Sequence, residues 1–280
     1  MGDKTRTKGI RVRATKLLTY RLKRIVDLIR FTMSEDPLKI NNFFEYNLPK
    51  IDDFVFFTDR QLIDNYVEWL IYHIRNELIT PAEFSLGEVD NHIIASHLEQ
   101  AYLSGVAKTQ TSLKRDKNIE RFITGANITN PHHYQRAEIL HGRVFSLLEN
   151  ISEEMEIGIR QILTKGMLEG KATKVLSKEM VEKVDGIGKK RALLIANTEI
   201  VHAHQMGAVA EAKYLQEVTG KPVMMLWNTT LDGRARDHHV TRHDKLYSIE
   251  EVGALLGEPN CRCSVTGVTE EIYNLLRKNN

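Results

Sequence analysis

Over most of the chain, apolar residues recur every three or four positions, the period of a helix buried on one face. In residues 14–33 that face is Leu18, Leu22, Ile25, Ile29 and Met33, with basic residues opposite and Pro37 ending the element. Residues 38–57 lose the period; Phe43, Phe44, Tyr46, Phe54, Phe56 and Phe57, with Pro49 among them, predict a packed loop or short strands. Thr58 and Gln61 have capping-box spacing, ahead of a helix through Leu62, Tyr66, Trp69, Leu70, Ile74 and Leu78 that Pro81 closes. Ser85 and Glu88 repeat that signal before a helix through Val89, Ile93, His97 and Val106 to about residue 115. Asn130 caps a long helix with Pro131 at its first position, where a missing N–H costs nothing. Its apolar positions are Ile139, Val144, Leu147, Leu148, Ile151, Met155, Ile159 and Leu163, and it stops near Gly170. Two more helices, 173–184 and 188–218, are predicted on either side of the turn Asp185-Gly186-Ile187-Gly188.

Beyond Gly220-Lys221-Pro222 the texture changes. Val223-Met224-Met225-Leu226-Trp227 reads as a buried strand, followed by a polar turn, a histidine-rich loop, a short helix near 248–256 and a strand at Cys263-Ser264-Val265-Thr266. The expected fold class is mainly α: an elongated helical body with a small α+β C-terminal unit of short, hairpin-like strands. The expected organisation is a basic N-terminal helix or arm over 1–36, a helical body over 37–170, a further domain over 171–268 and a C-terminal helix or tail over 269–280.

Composition narrows the class. With 280 residues, 42% hydrophobic and 27% charged, the chain can bury a core. It holds no apolar run long enough for a membrane span and no secretory signal pattern, and its two nearly adjacent cysteines, Cys261 and Cys263, form no disulfide framework, so folding in a reducing cytoplasm is expected. Net charge is +2, but Lys4, Arg6, Lys8, Arg11, Arg13, Lys16, Arg21, Lys23, Arg24 and Arg30 crowd the first thirty residues against Asp3 and Asp27. Such a segment suits a polyanion such as DNA, or serves as a solvated tail. Arg11, Arg13, Lys16, Lys23 and Arg24 are the candidate nucleic-acid contacts there. Lys189 and Lys190 are further candidates, because Val184-Asp185-Gly186-Ile187-Gly188-Lys189-Lys190-Arg191-Ala192 mimics a helix-hairpin-helix, whose turn offers backbone N–H groups to phosphate.

Three segments carry a resemblance: Arg191-Ala192-Leu193-Leu194-Ile195-Ala196-Asn197-Thr198-Glu199; the stretch from Trp227-Asn228-Thr229 through Asp232-Gly233-Arg234-Ala235-Arg236 to Asp237-His238-His239; and Pro259-Asn260-Cys261-Arg262-Cys263. In this order and spacing, residues 170–266 resemble the Mu F-like phage head-morphogenesis domain. The chain departs from that pattern at Asn197, where Arg is usual, and at His243-Asp244-Lys245, where an acidic-Gly turn is usual. The resemblance implies a non-enzymatic minor head protein of the virion, at the portal or prohead interior. It would act in head assembly, with DNA packaging or ejection as further roles. The implied partners are the portal protein, other head, capsid or scaffold proteins, and double-stranded DNA.

Within this region Glu199 lies on a helix face, and Arg234 and Arg236 lie in a turn that can fold onto it. With Asp232 they form the expected structural ion-pair network. Trp227 is expected in the core with a partner for its indole N–H. Cys261 and Cys263, too far apart along a strand for a disulfide, can share a structural zinc with His239 and His243. They can equally be small buried thiols beneath a loop held by hydrogen-bonded histidines. In either case His239, Cys261 and Cys263 are expected to converge. Asp237-His238-His239 also spells a phosphoesterase signature, and His238, His243 and the CxC pair are compatible with an HNH-type nuclease. Neither enzyme's remaining motifs can be placed in the chain.

Overall fold

A computed structural model describes residues 4–33, 60–79 and 93–278. The expected loop at 38–57 and the caps at Thr58 and at Ser85 and Glu88 lie outside these residues. The helices are α1 (Lys8–Thr32), α2 (Arg60–Leu78), α3 (Ala95–Leu113), α4 (Lys117–Glu120), α5 (Pro131–Glu169), α6 (Thr173–Thr219), α7 (Asp237–Arg242), α8 (Ile249–Ala254) and α9 (Glu270–Lys278). The strands are β1 (Met224–Asn228), β2 (Leu246–Tyr247) and β3 (Ser264–Val268). The chain is mainly α with a small α+β C-terminal region. Among the described residues no helix is long and apolar enough to cross a membrane.

The chain divides into two compact units, and the divisions fall inside α1, α5 and α6. One unit takes residues 16–93 and 145–193. Its core is built from helical faces at the expected spacing. Leu18, Leu22, Ile25 and Ile29 of α1 are buried, as are Tyr66, Leu70, Ile74 and Leu78 of α2. Leu148, Ile151, Met155 and Ile159 of α5, and Leu176, Met180 and Val184 of α6, complete it. Thr32 and Tyr66 hydroxyls hydrogen-bond at 2.9 Å inside it.

The expected break at Asp185-Gly186-Ile187-Gly188 does not occur. Residues 173–219 form one helix. Gly186 and Gly188 keep negative φ, and the burial of Val184, Ile187 and Ala192 outweighs the roughly 1 kcal/mol each glycine costs a helix. Gly188 is also a contact point, since a Cβ there would sit 2.7 Å from the Leu22 side chain. The helix-hairpin-helix reading is therefore corrected: no hairpin presents N–H groups to phosphate. Lys189 instead pairs with Asp185 one turn away at 2.8 Å, and Lys190 is exposed.

The other unit takes residues 1–15, 94–144 and 194–280. Asn130 caps α5 as expected, its side-chain oxygen accepting from the His132 N–H at 3.1 Å. Ile139, expected on the buried face of α5, is 72% exposed instead. Between 198 and 212, α6 is buried almost all round, as its run of Ala203, Gly207, Ala208, Ala210 and Ala212 allows. The small residues let α3 lie against it backbone to backbone. A Cβ at Gly105 would meet the His204 carbonyl oxygen at 1.9 Å, and one at Gly207 the Tyr102 carbonyl oxygen at 2.1 Å.

The sheet is antiparallel, in the order β2-β1-β3. Trp227 lies opposite Val265, the expected pairing of these two strands, while β2 is an addition inside the expected loop. One apolar cluster joins the sheet residues Met225, Trp227, Val265 and Val268 to Ala208, Ala212 and Leu215 of α6 and to Ile249 and Val252 of α8. Cys261 and Cys263 belong to the same cluster.

Candidate functional site

The site forms where the chain leaves β1 and where it enters β3. Trp227, fully buried, donates its indole N–H to Thr229 Oγ1 at 3.1 Å, which supplies the expected partner. Thr229 Oγ1 in turn donates to the His239 carbonyl at 2.5 Å, tying the β1 exit to α7. The stretch 237–242 is helical, not extended; His239 is buried and His238 exposed, with their rings 4.4 Å apart. The His239 ring meets Trp227 edge to face at 6.0 Å between centroids, and the Arg242 guanidinium covers the indole at 5.2 Å.

His239, Cys261 and Cys263 come together. His239 Nδ1 is 3.0 Å from Cys263 Sγ and 3.7 Å from Cys261 Sγ, and all three ligand atoms lie within 4.8 Å of one another. The Cys261 sulfur accepts from the Cys263 N–H at 3.4 Å and from Gln205 Nε2 at 3.8 Å. Gln205 Nε2 also donates to the Cys263 carbonyl at 2.9 Å, so α6 holds the CxC segment from beneath. The hydrogen bond between the two thiols lowers Cys261 and raises Cys263, with burial raising both. His243 stands apart. Its Nδ1 accepts from the Thr229 N–H at 3.2 Å and its Nε2 lies 3.7 Å from Asp244, so it is not one of the converging ligands.

Glu258 organises the outer side. Its Oε2 lies 2.9 Å from His239 Nε2, out of line for a full hydrogen bond, and 2.9 Å from His238 Nε2. Arg236 and Arg242 each reach it at 3.2 Å. Burial alone would raise the Glu258 carboxyl, but these histidines and Arg242 hold it at about 2. The Glu258 carbonyl accepts the Cys261 N–H at 3.1 Å, so the same residue touches both sides of the thiol segment.

The expected single network around Glu199 is replaced by separate pairs. Glu199 is gripped by Arg143 of α5 through Nε at 2.9 Å and Nη2 at 3.2 Å, not by Arg234 or Arg236. Asp232 takes a two-pronged grip from Arg262, at 2.5 and 2.7 Å, with Arg234 at 3.4 Å. Arg236 turns to Glu258 and to the Pro259 carbonyl, the latter at 2.6 Å. The reason is distance along the fold: the turn after β1 lies beside the CxC segment, whereas the Glu199 side chain faces α5. Arg262, between the two cysteines, thus fastens their segment to the β1 exit. Asn260 (φ +55°) bends that segment, and its N–H donates to Thr198 Oγ1 at 3.0 Å.

The basic residues of α1 are not a loose arm, because the helix is embedded by Ala14, Leu18, Leu22 and Ile25. Arg11 donates to the Asn197 side chain, Arg13 to Gln100, and Arg24 pairs with Glu77. Lys16 and Lys23 are exposed. Sequence reasoning missed Arg143, Gln205, Glu258 and Arg262, whose partners are all distant in sequence. It also missed a buried chain in which Tyr102 meets His133 at 3.0 Å, His133 meets Glu211 at 2.9 Å, and Glu211 accepts from Gln110 at 2.9 Å. A polar residue amid apolar neighbours, as at Gln205 and Glu211 in α6, was the available signal.

Residues 158–266, less than half of the chain, match a family model described as phage Mu protein F like protein. The match takes in the end of α5, all of α6, the converging thiols and most of the sheet. No curated protein and no solved structure matches the chain.

Proposed function

We propose, from the match of residues 158–266 to the phage Mu protein F like model, that the chain is a minor head protein of the virion, sited at the portal vertex or head interior. Its role is structural: it joins other head proteins and the portal during head assembly, with DNA packaging or ejection as further steps in which it acts. The family match is the observation that carries this reading. Double-stranded DNA is a proposed neighbour of exposed Lys16 and Lys23.

The test is genetic. A phage carrying an early stop codon in this gene should yield few infective particles and aberrant heads, and the chain supplied from a plasmid should restore both. Normal titre and normal heads from the mutant would overturn the reading.

A further inference from the structure

A buried imidazole facing two thiols is more than packing requires, and its surroundings have the chemistry of a metal site. We propose that His239 Nδ1, Cys261 Sγ and Cys263 Sγ bind one zinc ion, which locks the β1 exit to the β3 entry.

The donors are right in kind and place. Imidazole nitrogen and thiolate sulfur are the ligands zinc prefers, at about 2.0–2.3 Å, and donors so placed stand a few ångströms apart. Here the donor atoms lie within 4.8 Å of one another, and all three residues are buried. The neighbours fit as well. A zinc-bound histidine typically offers its other nitrogen to a carboxylate, and His239 Nε2 lies 2.9 Å from Glu258 Oε2. His239 Nε2 makes no full hydrogen bond as it stands, and a ring rotation toward the metal can bring it into line. Metal-bound sulfur carries charge that N–H donors stabilise, and Cys261 Sγ has two, the Cys263 backbone and Gln205 Nε2.

The chain supplies three ligands, since His243 is committed to Thr229. A water completes the tetrahedron. Gln205 Oε1 is buried without a hydrogen-bond partner, and it is the acceptor that such a water would satisfy. On binding, both thiols give up their protons to solvent and the imidazole binds neutral.

The experiment uses the full chain, purified under reducing conditions, incubated with zinc and dialysed. Elemental analysis should find about one zinc per chain. The native thiols should react with a disulfide reagent only after a chelator is added. Cobalt in place of zinc should show thiolate-to-metal absorption. Cys261→Ser and Cys263→Ser should each lose the metal, and Glu258→Gln should weaken binding about 10- to 100-fold. His243→Gln should bind as the parent does. Thiol labelling of the native chain keeps the test open if the cysteine variants do not fold. A helical parent chain holding less than about a tenth of an equivalent, with thiols that label equally fast with and without chelator, overturns the proposal and leaves the site as packed thiols. Loss of metal in His243→Gln overturns the ligand set.

Discussion

Glu199 is 3% exposed, and two guanidinium nitrogens of Arg143 hold it. Burial raises its carboxyl against that pull, so removing the arginine leaves a charge or an unmet proton in the core. Arg143→Ala should destabilise the chain by about 2 kcal/mol, below a fully buried pair because the arginine is half exposed. Arg143→Met with Glu199→Gln should lose less, and denaturant unfolding of the two variants decides this. His202 gives a pH signature. Burial, and then the Arg143 charge, lower it to about 4 from 6.5. A depressed folded value means the contribution is intact above about 6.5 and is lost as pH falls toward 4. Stability should therefore decline through that window by about 2–3 kcal/mol more in the parent than in His202→Gln. Equal slopes would contradict it. At this scale the sequence was informative where chemistry is local: CxC, the double histidine and Trp227 announced themselves. Partner choice was not legible, because Glu199 finds Arg143 56 positions away and the Cys261 thiol finds Gln205, far back in α6.

At the scale of elements, helical periodicity located the long helices, because most of their length buries one face. It failed at residues 185–188, where two glycines imitate a turn while the apolar spacing continues through them. Substitution separates the two structures. In a continuous helix, Gly186→Ala has open space around the new Cβ and should stabilise by about 1 kcal/mol. In a hairpin needing a left-handed residue it should destabilise instead. Gly207→Ala should cost more than the 1–3 kcal/mol of ordinary overpacking, because the Cβ would press on the Tyr102 backbone of α3, which cannot rotate away. Thermal melts of both variants check this, and an unchanged Gly207→Ala would contradict the close crossing. β2 was invisible beforehand: two residues paired to β1 leave no alternation to detect.

At the scale of the whole molecule, the C-terminal part of the chain explains itself and the rest does not. The order of three short segments identified the region that the family model matches, because those segments meet around one site: Thr198 binds Asn260, Asp232 binds Arg262 and Thr229 binds the His239 carbonyl. The basic start of the chain was legible as charge but not as structure, since its apolar face sinks α1 into the fold and several of its cations find partners. The central claim is residence in the phage head. Mass spectrometry of gradient-purified virions and proheads tests it most directly. Peptides from both 158–266 and the preceding helices should be found at low copy relative to the major capsid protein, and should fractionate with the portal after mild disruption. Purified particles of full infectivity without any of these peptides would contradict the account.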